Sequence, residues 1–90
     1  MVEAFEIDSD AKLEETKADA SVISSEKVLV FVDHDTETVY LWRGAKADLF
    51  RKLMGTRVAA QLSHRYPNYR IRPITEGREP ASFVDLLNLR

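Results

Sequence analysis

The two histidines are the side chains of this sequence best suited to general acid–base chemistry at neutral pH. His34 lies in a predicted turn, and His64 lies near the end of a predicted helix. Neither is accompanied by a nucleophile motif, a phosphate-binding glycine loop or the spacing of metal ligands. The sequence therefore indicates a protein that is not an enzyme, with both histidines at the surface.

Three carboxylates surround His34, namely Asp33, Asp35 and Glu37. Their alternate spacing resembles the start of a calcium-binding loop, in which carboxylate oxygens ligate the ion. The sequence lacks the glycine and the downstream glutamate of an EF-hand, however. Because aspartate favours turns by accepting hydrogen bonds from nearby backbone, we expect a solvated polar turn and no metal site.

A third pattern lies towards the C-terminal end, where Arg70 and Arg72 alternate with Tyr69 and Ile71. Sheets that bind single-stranded nucleic acids stack bases on aromatic side chains beside cations. Against this function, the net charge is −2, and the Gly-aromatic signature of the common RNA-binding sheet does not occur. The arginines equally suit an edge strand protected against aggregation. A nucleic-acid-binding module that uses the basic C-terminal half stays open as an alternative.

Charge is divided unevenly along the chain. Lys12 and Lys17 are the only bases before Lys27, whereas lysines and arginines outnumber acids from Leu41 onward. A basic half of this kind suits an acidic protein surface or a polyanion. The uneven division therefore predicts an anionic partner without identifying its class.

The composition is that of a folded globular chain. Of the 90 residues, 44% are hydrophobic and 31% charged, and none is cysteine. We expect one domain over residues 1–90, without disulfides or thiolate metal sites. The longest apolar run, residues 28–32, is too short to span a membrane, and the acidic start is unlike a secretion signal. These features predict a cytoplasmic protein.

Alternation with a period of two residues predicts five strands. Residues 12–17 pair with residues 3–8 in a short hairpin. Residues 27–33 are almost wholly apolar, so they form a central strand that is buried on both faces, and residues 37–43 pair with it. In the strand at residues 69–75, Pro73 indicates the edge of the sheet.

Two helices complete the prediction. The long helix runs from residue 45 or 46 to about Tyr66, because Pro67 ends it. Pro80 lies in the first turn of a short final helix, in which Phe83, Leu86 and Leu87 share a face. A loop covers residues 18–26. Antiparallel hairpins with helices packed on the sheet define an α+β class.

Two apolar stripes appear on the long helix when its residues are placed at intervals of about 100°. Gly55 and Ala59 permit a close approach to a sheet, so we assign their stripe to the core. That core stripe consists of Gly55, Val58, Ala59 and Leu62. The second stripe consists of Leu49, Leu53, Thr56 and Ala60, with Phe50 and Met54 between the two.

The second stripe exceeds what packing on one sheet requires. Either the final helix or the loop at residues 18–26 covers it, or a partner protein does. Arg57 and His64 flank Leu53 and Ala60, so the stripe has a polar border, as in contacts where a helix lies in a groove. The pattern leaves both explanations open.

Several segments, taken in order, resemble the domains of gelsolin, villin and severin. Residues 28–33, the pattern Tyr-x-Trp-x-Gly at Tyr40, Trp42 and Gly44, and the long helix resemble the centre of these domains. Residues 76–80, Glu-Gly-Arg-Glu-Pro, are similar to the segment before the family's last helix. The opening hairpin is also similar, so the resemblance covers essentially the whole chain. Its size is similar to that of the small gelsolin-like proteins of Asgard archaea.

This resemblance implies a fold and a function. The fold is a mixed sheet of about five strands, sandwiched between one long helix and one short C-terminal helix. The function is actin binding, with the long helix in the cleft between two actin subdomains near the barbed end. The implied contacts are Leu49, Leu53, Arg57, Ala60 and His64.

The mode of action and the alternatives follow from size. A lone domain favours binding of monomers or capping of filament ends, because severing in the family normally combines two actin-binding domains and would here need a homodimer or a sister domain. Gelsolin-like folds also occur in vesicle-coat proteins as interaction modules, so a protein-interaction module without actin activity stays open as well.

Calcium is where the sequence departs from the resemblance. Many gelsolin-like domains bind the ion with a Gly-Asp pair before the central strand and a glutamate early in the long helix. Here residues 24–27 read Ser-Ser-Glu-Lys and the helix position is Arg51. A second calcium site of the family, at the actin interface, uses a helix carboxylate near the position of His64, and this chain lacks that acid. We therefore expect action without calcium or another cofactor.

Overall fold

A computed structural model of the chain describes residues 1–88. Its strands form one sheet in the order β2-β1-β3-β4-β5, and each lies within one residue of its predicted bounds. The strands are β1 (Val2–Ile7), β2 (Leu13–Thr16), β3 (Val28–Asp33), β4 (Thr38–Arg43) and β5 (Arg70–Thr75).

The sheet is mixed, as expected. All neighbouring strands are antiparallel except β4 and β5, which are parallel. A parallel neighbour needs a long crossover, and helix α1 (Leu49–Arg65) supplies it. Strand β5, which contains Pro73, lies at the edge of the sheet, where a missing backbone donor costs least.

Strand β3 separates two hydrophobic clusters. All six of its residues are buried, which confirms the prediction of a strand buried on both faces. Val28, Val30 and Val32 point towards α1, whereas Leu29 and Phe31 point to the opposite face. The helix α2 (Ala81–Leu87) covers this second face through Phe83 and Leu87. The predicted sandwich of one sheet between two helices is therefore confirmed.

Aromatic packing dominates the side of the sheet that faces α2. The ring of Phe83 meets those of Phe31 and Tyr40 edge to face, at centroid distances of 5.4 and 5.5 Å. Trp42 is fully buried and donates its indole N–H to Glu79 Oε2 at 2.9 Å. This bond joins the Tyr-x-Trp-x-Gly and Glu-Gly-Arg-Glu-Pro segments, so both motifs have a structural role.

Small differences from the prediction occur on the same side. Pro80 is the N-cap of α2 and does not lie within its first turn, and Leu86 is only half-buried at the border of the cluster. Residues 18–26 contain a 3₁₀ helix (Ala20–Val22) capped by the side chain of Asp19. Val22 is buried in the cluster that faces α2. This segment therefore packs on the face of the sheet opposite α1.

Helix α1 begins later than predicted, at Leu49. The preceding turn packs against the entry to β3, where Gly44 N–H donates to the Lys27 carbonyl at 2.9 Å and Lys46 N–H to the Ser25 carbonyl at 2.8 Å. A Cβ at Gly44 would lie 2.2 Å from the Ser25 carbonyl oxygen, which explains the glycine. These contacts hold residues 44–46 in a turn against that segment, so the helix begins only after its N-cap, Asp48.

Candidate functional site

The two ends of α1 are fixed by local chemistry. Asp48 is the N-cap, and its carboxylate accepts a hydrogen bond from Arg51 N–H at 2.7 Å and forms an ion pair with the Arg51 side chain. The N–H bond, followed by the side-chain bond, holds the pKa of Asp48 below its ordinary value. His64 and Arg65 lie in the last turn, where cations are favoured. The helix therefore presents a defined set of side chains from its first turn.

One side of α1 packs on the sheet. The buried residues of the helix are Gly55, Val58, Ala59 and Leu62, which confirms the predicted core stripe. A Cβ at Gly55 would lie 2.9 Å from Val28 Cγ1 and 3.3 Å from Leu41 Cδ1. The glycine therefore lets the helix backbone approach the sheet closely.

The opposite side of α1 carries large apolar side chains in solvent. Leu49 is 72% exposed, Leu53 57% and Phe50 50%. At about 100° per residue, the five predicted contacts fall within an arc of about 80° directly opposite the core stripe. We define the outer face of α1 as those five and Phe50, all of which are exposed: Leu49, Phe50, Leu53, Arg57, Ala60 and His64.

Neither of the proposed internal covers reaches the outer face. Helix α2 and the segment around Val22 both pack on the opposite side of the sheet. Of the two explanations that the sequence left open, burial by either of those segments is therefore wrong. Three large apolar side chains on one helix are an unusual surface for a protein of this size, and such patches often mark interaction sites.

Phe50 belongs to this surface, although sequence reasoning did not select it. It had been placed between the two stripes, because its angle on the helix lies outside both. Its neighbour in that region, Met54, is half-buried and packs against the core cluster. The helical angle places both residues between the two stripes. The structure separates them, since Met54 packs on the core cluster and Phe50 is exposed.

The charges of α1 all have one sign. Its sequence contains no aspartate or glutamate, and within residues 1–88 only Arg51 of its cations pairs with a carboxylate. Arg57 and His64 are exposed on the outer face. The helix thus combines an apolar surface with a positive border, which suits a partner groove of negative potential.

The positions that the resemblance associates with calcium are occupied by protein hydrogen bonds. Ser25 Oγ donates to Glu76 Oε2 at 2.6 Å, and Ala45 N–H donates to Glu76 Oε1 at 2.6 Å. These bonds, that of Ser25 above all, hold the pKa of Glu76 below its ordinary value. Lys27 forms an ion pair with Glu6 at 3.3 Å. Among residues 1–88, no three side chains of histidine, cysteine, aspartate or glutamate are grouped to hold a metal ion.

His64 is exposed as expected, whereas His34 is only partly exposed, with 23% of its side chain accessible. His34 Nε2 lies 2.5 Å from Glu3 Oε2, and Nδ1 lies 2.7 Å from the Tyr69 hydroxyl. The rings of Tyr66 and Tyr69 both meet the imidazole edge to face. The sequence did not predict these contacts because they come from β1, the end of α1 and the start of β5, which are distant in sequence. Burial raises the pKa of Tyr69, the opposite of what an activated hydroxyl would require.

The turn around Asp33 is also less solvated than expected. Asp33 is buried and accepts hydrogen bonds from Asp35 N–H at 3.1 Å and from Thr36 Oγ1 at 2.7 Å. Asp35 forms an ion pair with the N-terminal amine at 3.2 Å. The Asp33 carboxylate therefore stabilises the turn, while Asp35 and Glu37 stay exposed.

The aromatic and basic residues considered for nucleic-acid binding are largely engaged within the protein. Tyr69 stacks on Tyr66 at a centroid distance of 4.8 Å and bonds to His34. Arg72 Nη1 lies 3.3 Å from Ser82 Oγ. A ring already stacked on one face and bonded at its hydroxyl is poorly placed to stack a base.

The fold is a small α+β domain in which one mixed sheet lies between a long and a short helix. The model of the gelsolin repeat matches residues 10–84, and the chain belongs to this family. No curated protein matches it.

Two solved structures extend the comparison. The chain is 80% identical to a chain in the crystal structure of the Thorarchaeota ProGel/rabbit actin complex, with a TM-score of 0.94 over 97% of this chain and 99% of the other. It is 19% identical to a chain in the Thorarchaeota 2DGel3/rabbit actin complex, with a TM-score of 0.82 over 96% of this chain and 45% of the other. The second likeness concerns the fold alone. The first bears out the resemblance to small gelsolin-like proteins of Asgard archaea.

Within residues 1–88, no helix combines the length and the apolar character needed to cross a bilayer.

Proposed function

We propose that this protein binds actin through the outer face of α1 and so regulates actin assembly, as a binding protein and not as an enzyme. The observation that carries the proposal is the exposure of Leu49, Phe50 and Leu53 on one side of a helix whose other side is the core. A chain 80% identical to this one forms a crystallised complex with rabbit actin. The similarity extends over nearly the whole of both chains, which supports the same partner for this one.

The outer face fits an apolar cleft. Large apolar anchors at positions 49, 50 and 53, with the small Ala60 about two turns beyond, let a helix lie deep in a groove. Such anchors typically supply most of the binding free energy, and the residues around them mainly exclude water. Arg57 and His64 then lie at the border of the contact, where cations meet an acidic partner.

The proposed mode of action depends on the number of actin-binding surfaces. We infer that the protein binds monomers or caps filament ends, since the described residues offer one such apolar face. Severing would require a second actin-binding surface, which only a homodimer or another domain would supply. We place this activity in the cytoplasm, where a chain without cysteine needs no oxidising compartment.

Binding is proposed to be independent of calcium. Glu76 and Glu6, which contact residues at the entry to β3, are engaged by Ser25, Ala45 and Lys27. Recruitment of a calcium ion there would require these bonds to break, and a cation at Arg51 would oppose the ion.

The test is the assembly of pyrene-labelled rabbit actin, with sedimentation velocity to detect a complex with monomers. We expect slower assembly and a one-to-one complex with monomeric actin. Both results should be the same in the presence of calcium and of a chelator. Leu53→Asp should abolish both effects, because it buries an unpaired charge in the contact. Ala81→Asp is the matched control, since Ala81 is exposed at the start of α2 on the other face of the sheet.

The outcomes separate the parts of the proposal. Failure of the unmodified protein to bind or to alter assembly would exclude actin as the partner. Binding by a folded Leu53→Asp variant would move the contact away from the outer face. A response that requires calcium would contradict only the calcium-independent mode.

A further inference from the structure

A shallow pocket lies beside the outer face of α1, and its charged groups are all cationic. It is lined by Arg43, Gly44, Ala45, Lys52 and Thr75. Lys52 follows Leu49 by three residues, so the two side chains are surface neighbours on the helix. A partner that covers Leu49 therefore passes next to the pocket.

The arginine in the pocket has a hydrogen-bond donor that the chain does not use. Arg43 Nη2 donates to Thr75 Oγ1 at 3.3 Å, which orients the guanidinium. Arg43 Nε is buried and, among the side-chain nitrogen and oxygen atoms of residues 1–88, is the one buried atom without a hydrogen-bond partner. Because Nε is closed to the pocket, the terminal nitrogens of the guanidinium are the ones that can meet a ligand there.

The pocket has no negative charge of its own. Within residues 1–88, no carboxylate lies within ion-pair distance of Arg43 or Lys52. Asp48, the nearest acid to both along the chain, pairs with Arg51, and Glu76 is bonded to Ser25 Oγ and Ala45 N–H. Two cations without a counter-charge favour an oxyanion, and the guanidinium binds a carboxylate with two parallel bonds.

Size decides which oxyanion fits. The pocket measures about 150 Å³, whereas pockets for small-molecule ligands usually begin at about 300 Å³. There is room for the carboxylate of one side chain but not for a nucleotide. Because the pocket adjoins the outer face, the carboxylate that reaches it is one from the protein docked there.

We propose that Arg43 and Lys52 form a receptor for one carboxylate of the docked partner, next to the apolar contact of α1. This inference rests on the proposed function, since the partner is the one that covers Leu49 and Leu53. The receptor fixes the orientation of the partner along the helix, which an apolar face alone does not specify.

The test compares variants of Lys52 in their affinity for rabbit actin. Lys52→Gln should weaken binding about tenfold, equivalent to about 1.4 kcal/mol, and should reduce its dependence on salt. Lys52→Arg should retain the affinity, since it keeps the charge. Lys17→Gln is the control, because Lys17 is exposed beyond the end of β2 and loses the same charge. Arg43→Gln should behave as Lys52→Gln if its unfolding midpoint is unchanged.

Each outcome decides the question. If the unmodified protein does not bind actin, the proposed function fails, and the receptor fails with it. If it binds and Lys52→Gln matches Lys17→Gln, the receptor is overturned while the proposed function stands. A titration with inorganic phosphate, followed by the amide resonances of Ala45 and Lys52, covers the other source of oxyanion. Saturable phosphate binding there, with an unchanged actin affinity of Lys52→Gln, would also overturn the partner carboxylate.

Discussion

The two sides of α1 are both apolar, but they differ in the size of their residues. The inner side uses Gly55, Val58, Ala59 and Leu62, and the smallest of these lie where the backbone approaches the sheet. The outer side uses Leu49, Phe50 and Leu53, which are large and exposed. The inner residues are small because the space is already filled by β3 and β4. The outer residues are large, and nothing within the described chain fills the space around them.

Helix α2, unlike α1, has a polar side facing solvent. Its inner residues, Phe83 and Leu87, are buried, and its exposed positions include Ser82, Asp85 and Asn88. The fold therefore does not require exposed leucine and phenylalanine. The difference between the helices indicates that the outer face of α1 serves binding and not folding.

The largest expected effect comes from truncating one leucine on each side of α1. Leu62→Ala should lower the free energy of unfolding by about 2–5 kcal/mol, because it leaves a cavity at a residue that is 4% exposed. Leu53→Ala should change it by less than about 0.5 kcal/mol, as is usual for surface positions. Urea unfolding, followed by the fluorescence of the buried Trp42, measures both.

The same pair should reverse its order in actin binding. Leu53→Ala should weaken affinity by about tenfold or more, as expected for an apolar anchor, whereas a folded population of Leu62→Ala should bind normally. Equal losses of stability at the two positions would show that the outer side also packs within the fold, and the comparison would no longer hold.

A smaller effect separates two adjacent positions on the helix. Gly55→Ala gains about 1 kcal/mol in helix propensity, but its Cβ would press on Val28 Cγ1, a stiff side chain buried in β3. Overpacking costs about 1–3 kcal/mol, so we expect a net loss of about 1 kcal/mol. Thr56→Ala, one residue further and exposed, should gain a few tenths of a kcal/mol.

Unfolding curves of these two variants test how closely the helix approaches the sheet. A stabilised Gly55→Ala variant would mean that propensity outweighs packing at this position. In that case the small residues of the inner side would not be explained by a close approach, and one half of the comparison would need another cause.

Much of this contrast was accessible from the sequence, because it depends on local periodicity. The strands and the positions of both stripes on α1 follow from the spacing of apolar residues, whereas the exposure of the second stripe did not. The later start of α1 did not follow either, since it depends on the approach of Gly44 to Ser25 across the fold. The contacts of His34 were missed for the same reason, as its partners Glu3 and Tyr69 are far apart in sequence.

The smallest effect concerns the N-cap, on which the two sides of α1 depend unequally. Leu49 and Phe50 lie in the first turn, directly after Asp48, whereas the inner stripe begins at Gly55. Loss of the cap frays the first turn and leaves the inner contacts in place. Asp48→Ala should therefore weaken actin binding while lowering the thermal midpoint only slightly. Asp48→Asn should bind nearly as well as the unmodified protein, because asparagine also accepts the capping bond.

The charge of Asp48 gives this prediction a pH dependence. Its pKa in the folded protein lies below the ordinary value of 3.8, chiefly because Arg51 N–H donates to the carboxylate. The ionised carboxylate therefore stabilises the fold above pH 3.8, and this contribution is lost as the pH falls through the lower folded pKa. Thermal midpoints of the unmodified protein and Asp48→Asn should differ slightly at neutral pH and converge in acid. If Asp48→Ala and Asp48→Asn bind actin equally, the cap does not order the first turn, and the outer face is held by α1 as a whole.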